Sequence, residues 1–469
     1  MDHRELAFLD LVALGRALRA RELTALEVTR AMFERIAALD GRLHAYVTLM
    51  RDSAEAEARA ADAAFARGED RGPLQGVPVA VKDLCDAAGV ATSAGMPVVR
   101  ANVAAATRDA TVVARLRAAG AVILGKLQLT EGAVAHHHPD ITVPVNPHNP
   151  DYWSGASSSG SGVAVAAGLC YAALGSDTGG SIRFPSFANG ITGLKPTWGR
   201  VSRAGVFPLS WSLDHVGPMA RCSADCAAVL GAIAGADDAD PTALAAPVDD
   251  YLGAIGSGVR GLRIGFDEAW ATRDVDAEIV AGLHAVLAAL RVAGAQVVPV
   301  TMPATDEVIA AWAPLCTADA AAAHAATYPT QAAGYGPGLA TLLDAGRAAS
   351  AVDYALAHDV RLNYRGALAR VFASVDVVIA PAYMRQNPTL AAFATFGEAE
   401  QDWPELIRFT APFDLSGTPT LSLPTGCNAD GAPLGIQLLG PHLGEATLLR
   451  AGHALQGVTD WHRRRPALA

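Results

Sequence analysis

Lysine is almost absent from this chain of 469 residues. Of its 36 basic residues only three are lysines, Lys82, Lys126 and Lys195, and the remainder are arginines. Arginine keeps its proton inside a protein, whereas a lysine removed from water can lose it and act as a base. Each lysine, taken alone, fits an ordinary packing or surface role equally well. All three, however, fall within residues 82–195, the stretch that also holds two Gly- and Ser-rich segments, which favours a chemical role for at least one.

Long apolar runs and clusters of basic residues are also missing. Because no run of about 18 uncharged apolar residues occurs, we expect no membrane-spanning helix. The first residues mix charges into apolar positions and lack the apolar core of a signal peptide. The net charge is −11, and no Lys/Arg-rich run of about five to eight residues suggests a nucleic-acid surface. These features predict a cytoplasmic protein that binds neither membranes nor nucleic acid.

Cysteines are few and scattered. The chain has six, of which Cys222 and Cys226 are spaced to share one helix face. A zinc site would need two further ligands nearby, so we interpret both as residues of a helix core and predict no metal site. The composition, 51% hydrophobic and 18% charged, is typical of a globular protein with a large core.

The order of hydrophobic patterns predicts an α/β fold. Residues 1–70 read as helices, with a capping-box pattern from Thr24 to Glu27. Strands and helices then alternate, which indicates a sheet covered by helices on both faces. We expect strands at 77–81, 121–124, 171–175, 262–266, 296–300, 375–380, 420–423 and 436–439, and helices at 111–119, 163–169 and 445–455. Residues 234–250 are interpreted as a surface loop, and the Ala-rich segment 311–351 has only weak helical patterning.

Two Gly/Ser-rich segments are candidates for chemistry. Residues 154–162 run into a predicted helix, and residues 175–185 leave a predicted strand. A flexible linker would not lead directly into a strand–turn unit. A Walker phosphate loop requires a lysine that the segment lacks. The Gly-x-Ser-x-Gly elbow and the Ser-x-x-Lys pattern are also absent.

The second segment has the composition of an anion-binding turn. Glycine tolerates backbone conformations that other residues avoid, so Thr178, Gly179, Gly180 and Ser181 can direct several N–H groups toward one point. Beside a nucleophile such a turn is an oxyanion hole. A serine hydroxyl needs an adjacent base. We interpret the histidine cluster 136–138 as a polar surface loop or a pocket rim, and His215 as structural. Lys82, at the end of a predicted strand, is then the natural base.

These motifs resemble the amidase signature family over nearly the whole chain. The resemblance rests on Gly155-Ala156-Ser157-Ser158, on Asp177-Thr178-Gly179-Gly180-Ser181-Ile182-Arg183 and on Gly193-Leu194-Lys195-Pro196-Thr197. It is supported by Gly76-Val77-Pro78-Val79-Ala80-Val81-Lys82-Asp83 and by Gly435-Ile436-Gln437-Leu438-Leu439-Gly440. It implies a single domain, 1–469, around a mixed, largely parallel central sheet. Within it 1–70 would form N-terminal helices, 71–220 the catalytic core, and 221–469 the remaining sheet and helices, with 311–351 variable.

The resemblance also implies roles for individual residues. Lys82 would be the buried base, Ser157 a proton shuttle held by a cis peptide bond, and Ser181 the acylated nucleophile. Asp177 and Arg183 would brace the turn as an ion pair. The implied reaction is hydrolysis of a small amide, or of a carbamate or ester, without metal or organic cofactor. We further expect Gly132, Ala133, Ser158 and Trp211 at the substrate pocket, and a homodimer is compatible with the resemblance.

Two alternatives to a stand-alone amidase stay open. Around 196–203 the chain is similar to the glutamine-hydrolysing A subunit of the tRNA-dependent amidotransferase. The departures at Ala156 and Ser159, which replace glycines of the commonest family pattern, favour a stand-alone enzyme. A catalytically dead binding scaffold is the other alternative, and the presence of all three implied catalytic residues speaks against it. Aromatic residues near the motifs, Tyr152, Trp153, Phe184 and Trp211, favour an apolar or aromatic acyl substrate, although core packing explains each equally well.

Overall fold

A single eleven-stranded sheet forms the centre of the computed structural model, which describes residues 3–468. The strands are β1 Tyr46–Leu49, β2 Pro78–Lys82, β3 Val122–Leu127, β4 Ala172–Asp177, β5 Thr192–Lys195, β6 His215–Ala220, β7 Arg263–Phe266, β8 Gln296–Pro299, β9 Val377–Pro381, β10 Thr420–Cys427 and β11 Pro433–Leu439. Their order across the sheet is β1-β3-β2-β4-β6-β5-β10-β11-β9-β7-β8. The sheet thus takes strands from all three segments distinguished in the sequence.

The sheet is mixed, as predicted, but its parallel share is smaller than expected. Among the described strands, β2 pairs in parallel with β3 and β4, and β7 with β8 and β9. The other six pairings are antiparallel. A parallel pair needs a long crossover, whereas β10 and β11 are joined by the short turn 428–432, which only an antiparallel pair allows. The expectation of a largely parallel sheet is therefore corrected.

Helices cover both faces of the central strands. Every residue of β2, β4, β6 and β11 is buried. Successive side chains of a strand point to opposite faces, so burial at every position requires cover on both. The helices are α1 His3–Ala7, α2 Leu11–Arg19, α3 Ala25–Leu43, α4 Arg51–Ala66, α5 Pro97–Asn102, α6 Thr111–Ala118, α7 Ser159–Ala166, α8 Arg183–Ala188, α9 Ser223–Ile233, α10 Glu268–Thr272, α11 Ala277–Val292, α12 Asp306–Ala323, α13 Pro337–Ala348, α14 Ala351–Phe372, α15 Leu390–Phe393, α16 Asp402–Ile407, α17 Ala411–Leu415 and α18 Glu445–Val458. None of the helices between residues 3 and 468 combines the length and the apolar character needed to cross a bilayer.

The Ala-rich segment is more helical than its weak sequence pattern predicted. It contains most of α12, all of α13 and the first residue of α14, and α12 packs against α13, α14 and α17. Alanine on every side of a helix blurs the hydrophobic periodicity, while tertiary packing supplies most helical stability. The predicted surface loop at 234–250 has neither helix nor strand after Ala234 and is mostly exposed.

The predicted capping box is confirmed at the start of α3. The Thr24 hydroxyl oxygen accepts a hydrogen bond from the Glu27 N–H at 3.2 Å, and the Glu27 carboxylate accepts one from the Thr24 N–H at 3.1 Å. Two otherwise unpaired amides at the helix start are therefore satisfied.

Replacing this cap gives the first prediction. Thr24→Ala removes the accepting oxygen and should lower the free energy of unfolding by about 1 kcal/mol, whereas Thr24→Ser keeps the oxygen and serves as the matched control. Denaturant titration followed by circular dichroism measures both. Equal midpoints for the wild type and the alanine variant would contradict a stabilising cap.

Candidate active site

Lys82 is the last residue of β2 and is buried, with an exposed fraction of 1%. Its Nζ lies 2.7 Å from the Ser157 Oγ and 2.9 Å from the Ser176 Oγ. Ser176 belongs to β4, the strand paired with β2, so the sheet itself places these two side chains together. Burial lowers the pKa of Lys82 from 10.5 to about 7, although the carboxylate of Asp214 acts in the opposite direction. A substantial fraction of the amine is therefore neutral near pH 7.

Ser157 lies in the loop that enters α7. The peptide bond between Ala156 and Ser157 is cis, as the family resemblance predicted. The Ser157 carbonyl accepts a hydrogen bond from the Thr130 N–H at 3.2 Å. The next amide, that of Ser158, donates to the Ser181 carbonyl at 3.3 Å. The bond between Ser158 and Ser181 holds the two Gly/Ser segments side by side, and the bond from Thr130 ties the first of them to the loop after β3.

The turn that carries Ser181 is organised by the carboxylate of Asp177. This carboxylate accepts hydrogen bonds from the N–H groups of Gly180 at 2.7 Å, Ile182 at 2.9 Å and Arg183 at 3.3 Å. Since Asp177 ends β4 and Arg183 begins α8, the carboxylate fixes the whole connection between strand and helix. The position of Ser181 is set by that connection.

Three further hydrogen bonds hold the same turn, two of them at its carbonyls. The Thr178 hydroxyl donates to Asp214 at 2.6 Å, and the Thr178 carbonyl accepts the indole N–H of Trp312 at 2.8 Å. The Thr410 hydroxyl donates to the Gly179 carbonyl at 2.5 Å. The Thr178 and Gly179 carbonyls are thus already engaged, so the amides of the turn are what it can still offer to another group.

The predicted set of oxyanion donors needs one correction. The N–H of Gly180 is donated to Asp177, so it is committed to that carboxylate. Within residues 3–468, the N–H groups of Gly179 and Ser181 have no hydrogen-bond partner. The turn can therefore offer these two amides, together with that of Thr178, to a developing negative charge.

Beneath the turn lies a buried ion cluster. The Arg183 guanidinium is 2.7 Å from Asp177 and 2.6 Å from Asp414, and all three side chains are fully buried. Burial alone would raise the pKa of Asp177, but the adjacent Arg183 holds it below its ordinary value. The predicted Asp177–Arg183 pair is present, and Asp414, from α17, completes it.

A narrow cavity opens beside Ser181. About 30 Å³ of it is open to a water-sized group, and no lining residue within the described chain is charged. It is lined by Ala133, Val134, Ala135, Ala156, Thr178, Gly179, Ser181, Phe184, Leu209, Trp312, Leu342, Trp403, Leu406 and Ile407. The cavity therefore suits a small apolar group attached to a reacting carbonyl.

Only one of the four expected pocket residues lines this cavity. Ala133 does, whereas Gly132 does not, and a Cβ atom added to Gly132 would meet Leu339 and His324. The Ser158 hydroxyl is buried against the backbone of Ser176, at 3.2 Å from its carbonyl oxygen. The geometry thus gives Ser158 a bracing position rather than one facing the cavity.

Trp211 also lies away from the Ser181 cavity. Its side chain is half exposed, at 49%, and lines a separate cavity of about 310 Å³ together with Ser176 and Asp214. Of the other aromatic residues used to infer an apolar substrate, Phe184 lines the Ser181 cavity. Trp153 is not part of that lining and stacks on Phe393, and the Tyr152 hydroxyl donates to Asp430.

His137, His215, Cys222 and Cys226 lie outside the lining of the Ser181 cavity. His137 is hydrogen-bonded to the Ser159 hydroxyl at 3.0 Å, and burial lowers its pKa to about 3, so it is neutral. The Nδ1 atom of His215 lies 3.2 Å from the Asp177 carbonyl oxygen. Cys226 lies within α9, but Cys222 precedes the helix in extended backbone, so the prediction that the two share one helix face is wrong, although both are buried.

Sequence reasoning missed several residues of the site. Ser176 belongs to the second Gly/Ser segment, and its position at the end of a strand that pairs with β2 could have predicted its contact with Lys82. Trp312, Trp403 and Asp414 come from helices far along the chain, and no local motif marks them.

Comparison with known proteins relates this geometry to a single family. The family model for Amidase matches residues 27–449. The chain is 46% identical to the putative amidase AmiD of Mycobacterium tuberculosis, over 99% of this chain and 97% of the relative. It is 40% identical to an amidase of Pseudomonas putida, over 98% of each. It is also 38% identical to the A subunit of the glutamyl-tRNA(Gln) amidotransferase of Roseiflexus sp., over 96% of each.

Solved structures agree with the sequence comparison. The native peptide amidase of Stenotrophomonas maltophilia superposes with a TM-score of 0.80 at 33% identity, covering 98% of both chains. A chain of a vestigial protein complex, described as revealing the origins of an s-triazine catabolic enzyme, gives a TM-score of 0.89 at 32% identity, covering 96% of this chain and 98% of the other. The likeness extends over the whole sheet and is not confined to the motifs.

The buried ion cluster yields the second prediction. Arg183→Met would leave Asp177 and Asp414 buried without their cation and should lower the free energy of unfolding by about 3–5 kcal/mol. Arg385→Met, which breaks exposed ion pairs with Asp276 and Glu405, is the matched control and should cost less than about 1 kcal/mol. Denaturant midpoints measure both changes. Equal losses in the two variants would argue against a special role for the buried cluster.

Proposed function

Because the chain belongs to the amidase signature family, we propose that it hydrolyses carboxylic amides through an acyl-enzyme on Ser181. One observation carries the proposal: the Nζ of the buried Lys82 lies 2.7 Å from the Ser157 hydroxyl, beside the turn that bears Ser181. A buried lysine bonded only to hydroxyls is suited to serve as a general base. Carbamates and esters present the same carbonyl group, so the proposed machinery also fits them.

The proposed reaction begins with two proton transfers. Neutral Lys82 accepts a proton from Ser157, which accepts one from Ser181. The Ser181 Oγ attacks the carbonyl carbon, and the tetrahedral intermediate collapses with cleavage of the carbon–nitrogen bond. The proton returns through Ser157 to the leaving nitrogen. Water then attacks the acyl-enzyme by the same relay and releases the acid.

Backbone amides stabilise the charge in this scheme. As the carbonyl carbon becomes tetrahedral, its oxygen acquires negative charge next to the turn. Among the described residues 3–468, no group accepts a hydrogen bond from the N–H of Gly179 or of Ser181; both amides lie in that turn, with Thr178 adjoining them. Each such donor contributes about 2.7–4 kcal/mol to the stability of the transition state. Asp177 acts indirectly, by holding the turn in shape.

The uncharged cavity favours an apolar acyl group. Glutamine carries an α-ammonium and an α-carboxylate, and burying either without a partner is costly. No lining residue of the Ser181 cavity within residues 3–468 supplies a countercharge. An aliphatic or aromatic acyl group meets no such penalty. The cavity thus supports a stand-alone amidase.

The likeness to the A subunit of the amidotransferase makes glutamine hydrolysis the second candidate. This candidate rests on the 38% identity to that subunit over 96% of the chain.

A substrate panel separates the two candidates. The purified chain should hydrolyse p-nitroanilides or aryl carbamates of apolar acids and leave glutamine intact, as measured by nitroaniline or phenol release and by ammonia release. Glutamine turnover without activity on the aryl substrates would assign the chain to the second candidate.

Covalent labelling tests the nucleophile. A fluorophosphonate should add to Ser181, as detected by mass spectrometry of the intact protein and of its peptides, because phosphonylation requires an activated hydroxyl. Ser181→Ala should abolish the addition, whereas Ser374→Ala, which removes an exposed serine, should not. A folded wild-type chain that stays unlabelled at Ser181 would favour the binding-scaffold alternative.

The pKa of Lys82 sets the expected pH dependence. Below pH 7 the protonated amine cannot accept a proton, so kcat/KM should rise about tenfold per pH unit and level off above about pH 7. Burial lowers the pKa of Lys195 to about 7 as well, which makes Lys195→Met the necessary control. That variant should keep the rising limb, and Lys82→Met should lose activity. A flat profile between about pH 5.5 and 8.5 would rule out a titrating lysine base.

A further inference from the structure

An apolar groove lies directly outside the Ser181 cavity. It is formed by α12, α13 and α16, and about 480 Å³ of it is open to a water-sized group. Apart from Asp306, Thr317 and Thr341 its lining is apolar: Ile309, Ala310, Trp312, Ala313, Gly338, Leu342, Ala345, Trp403, Pro404 and Ile407. The groove is thus much larger than the cavity that reaches Ser181.

Four side chains separate the groove from the cavity. Trp312, Leu342, Trp403 and Ile407 line both spaces, so each presents one side to the groove and another to the cavity. The two spaces are therefore adjacent chambers divided by a wall one side chain thick.

The two tryptophans of this wall are held differently. Their rings stack with centroids 5.6 Å apart at an interplanar angle of 26°. Trp312 is buried, and its indole N–H is bonded to the Thr178 carbonyl at 2.8 Å. Trp403 is half-buried on the short helix α16 and packs against the edge of Phe396. Of the two rings, only that of Trp312 is tied to the Ser181 turn by a hydrogen bond within the described residues.

We propose that this groove binds the distal part of an apolar acyl group whose carbonyl reacts at Ser181. The substrate class is then amides of medium- to long-chain or arylalkyl carboxylic acids. This inference rests on the proposed function, because it extends the same site. The inner cavity, with about 30 Å³ open, holds only the first atoms of such a group, and the remainder continues past Trp403 into the groove.

A chain-length series tests the groove. The substrates are p-nitroanilides of butyric, hexanoic, octanoic and decanoic acid, and the readout is the ratio of kcat/KM for the decanoyl and butyryl compounds. Burial of a methylene favours binding about threefold to fourfold, so the wild-type ratio should exceed about tenfold. Ala313→Trp fills the groove from α12 and should lower the ratio at least about tenfold.

Ala322→Trp is the matched control. It adds the same side chain to an exposed alanine of the same helix, about 13 Å further along and on its opposite face, outside the groove. This variant should keep the wild-type ratio. Ala345→Trp fills the groove from α13 and should reproduce the effect of Ala313→Trp, which keeps the test decisive if one variant folds poorly.

The outcomes separate this inference from the proposed function. A wild-type ratio near one, or ratios that the two groove variants leave unchanged, would overturn the groove as a subsite while amide hydrolysis at Ser181 stands. Absence of turnover for every anilide, together with an unlabelled Ser181, would overturn both. A reduced ratio in the groove variants and not in Ala322→Trp supports the groove.

Discussion

The site depends on a lysine that is buried without a carboxylate partner. Two lysines lie on neighbouring strands of the sheet core. Lys126 forms a buried ion pair with Asp83 at 2.7 Å, whereas Lys82 contacts only the hydroxyls of Ser157 and Ser176 within the described chain. Removing a cation from water without a countercharge favours its neutral form. The central sheet supplies this condition, because β2 is covered on both faces and flanked by β3 and β4.

A second constraint is the fixed turn between β4 and α8. The carboxylate of Asp177 accepts hydrogen bonds from three backbone N–H groups and forms an ion pair with Arg183. Such an arrangement is preorganised, so the turn would need little reorganisation in the proposed reaction, in which negative charge develops beside it. The same arrangement removes one donor, because the Gly180 N–H is bound to the Asp177 carboxylate and cannot also bind an anion. The hydrogen bonds that hold the turn in shape therefore limit how many N–H groups it can offer to an anion.

Features that depend on residues close together in the sequence could be predicted from it. The capping box at Thr24, the strand ending at Lys82 and the Asp177–Arg183 pair all depend on neighbours within a few residues. The direction of strand pairing depends on how distant segments meet, and strand composition does not record it. Trp312, Trp403 and Asp414 reach the site from helices more than a hundred residues beyond Ser181. The position of Trp211 was misjudged because nearness in sequence to the motifs does not make a side chain face the cavity.

The proposed catalytic residues and the outer wall of the cavity come from different parts of the chain but meet at one residue. Lys82, Ser157 and the Ser181 turn come from the segment 71–220, whereas the outer wall of the cavity comes from 306–407. Trp312 belongs to both groups, since its ring lines the cavity and its N–H donates to the Thr178 carbonyl. A substitution there changes the shape of the pocket and the support of the turn together. Trp403 has no comparable bond within residues 3–468, so the far wall can change its shape while the turn keeps its geometry.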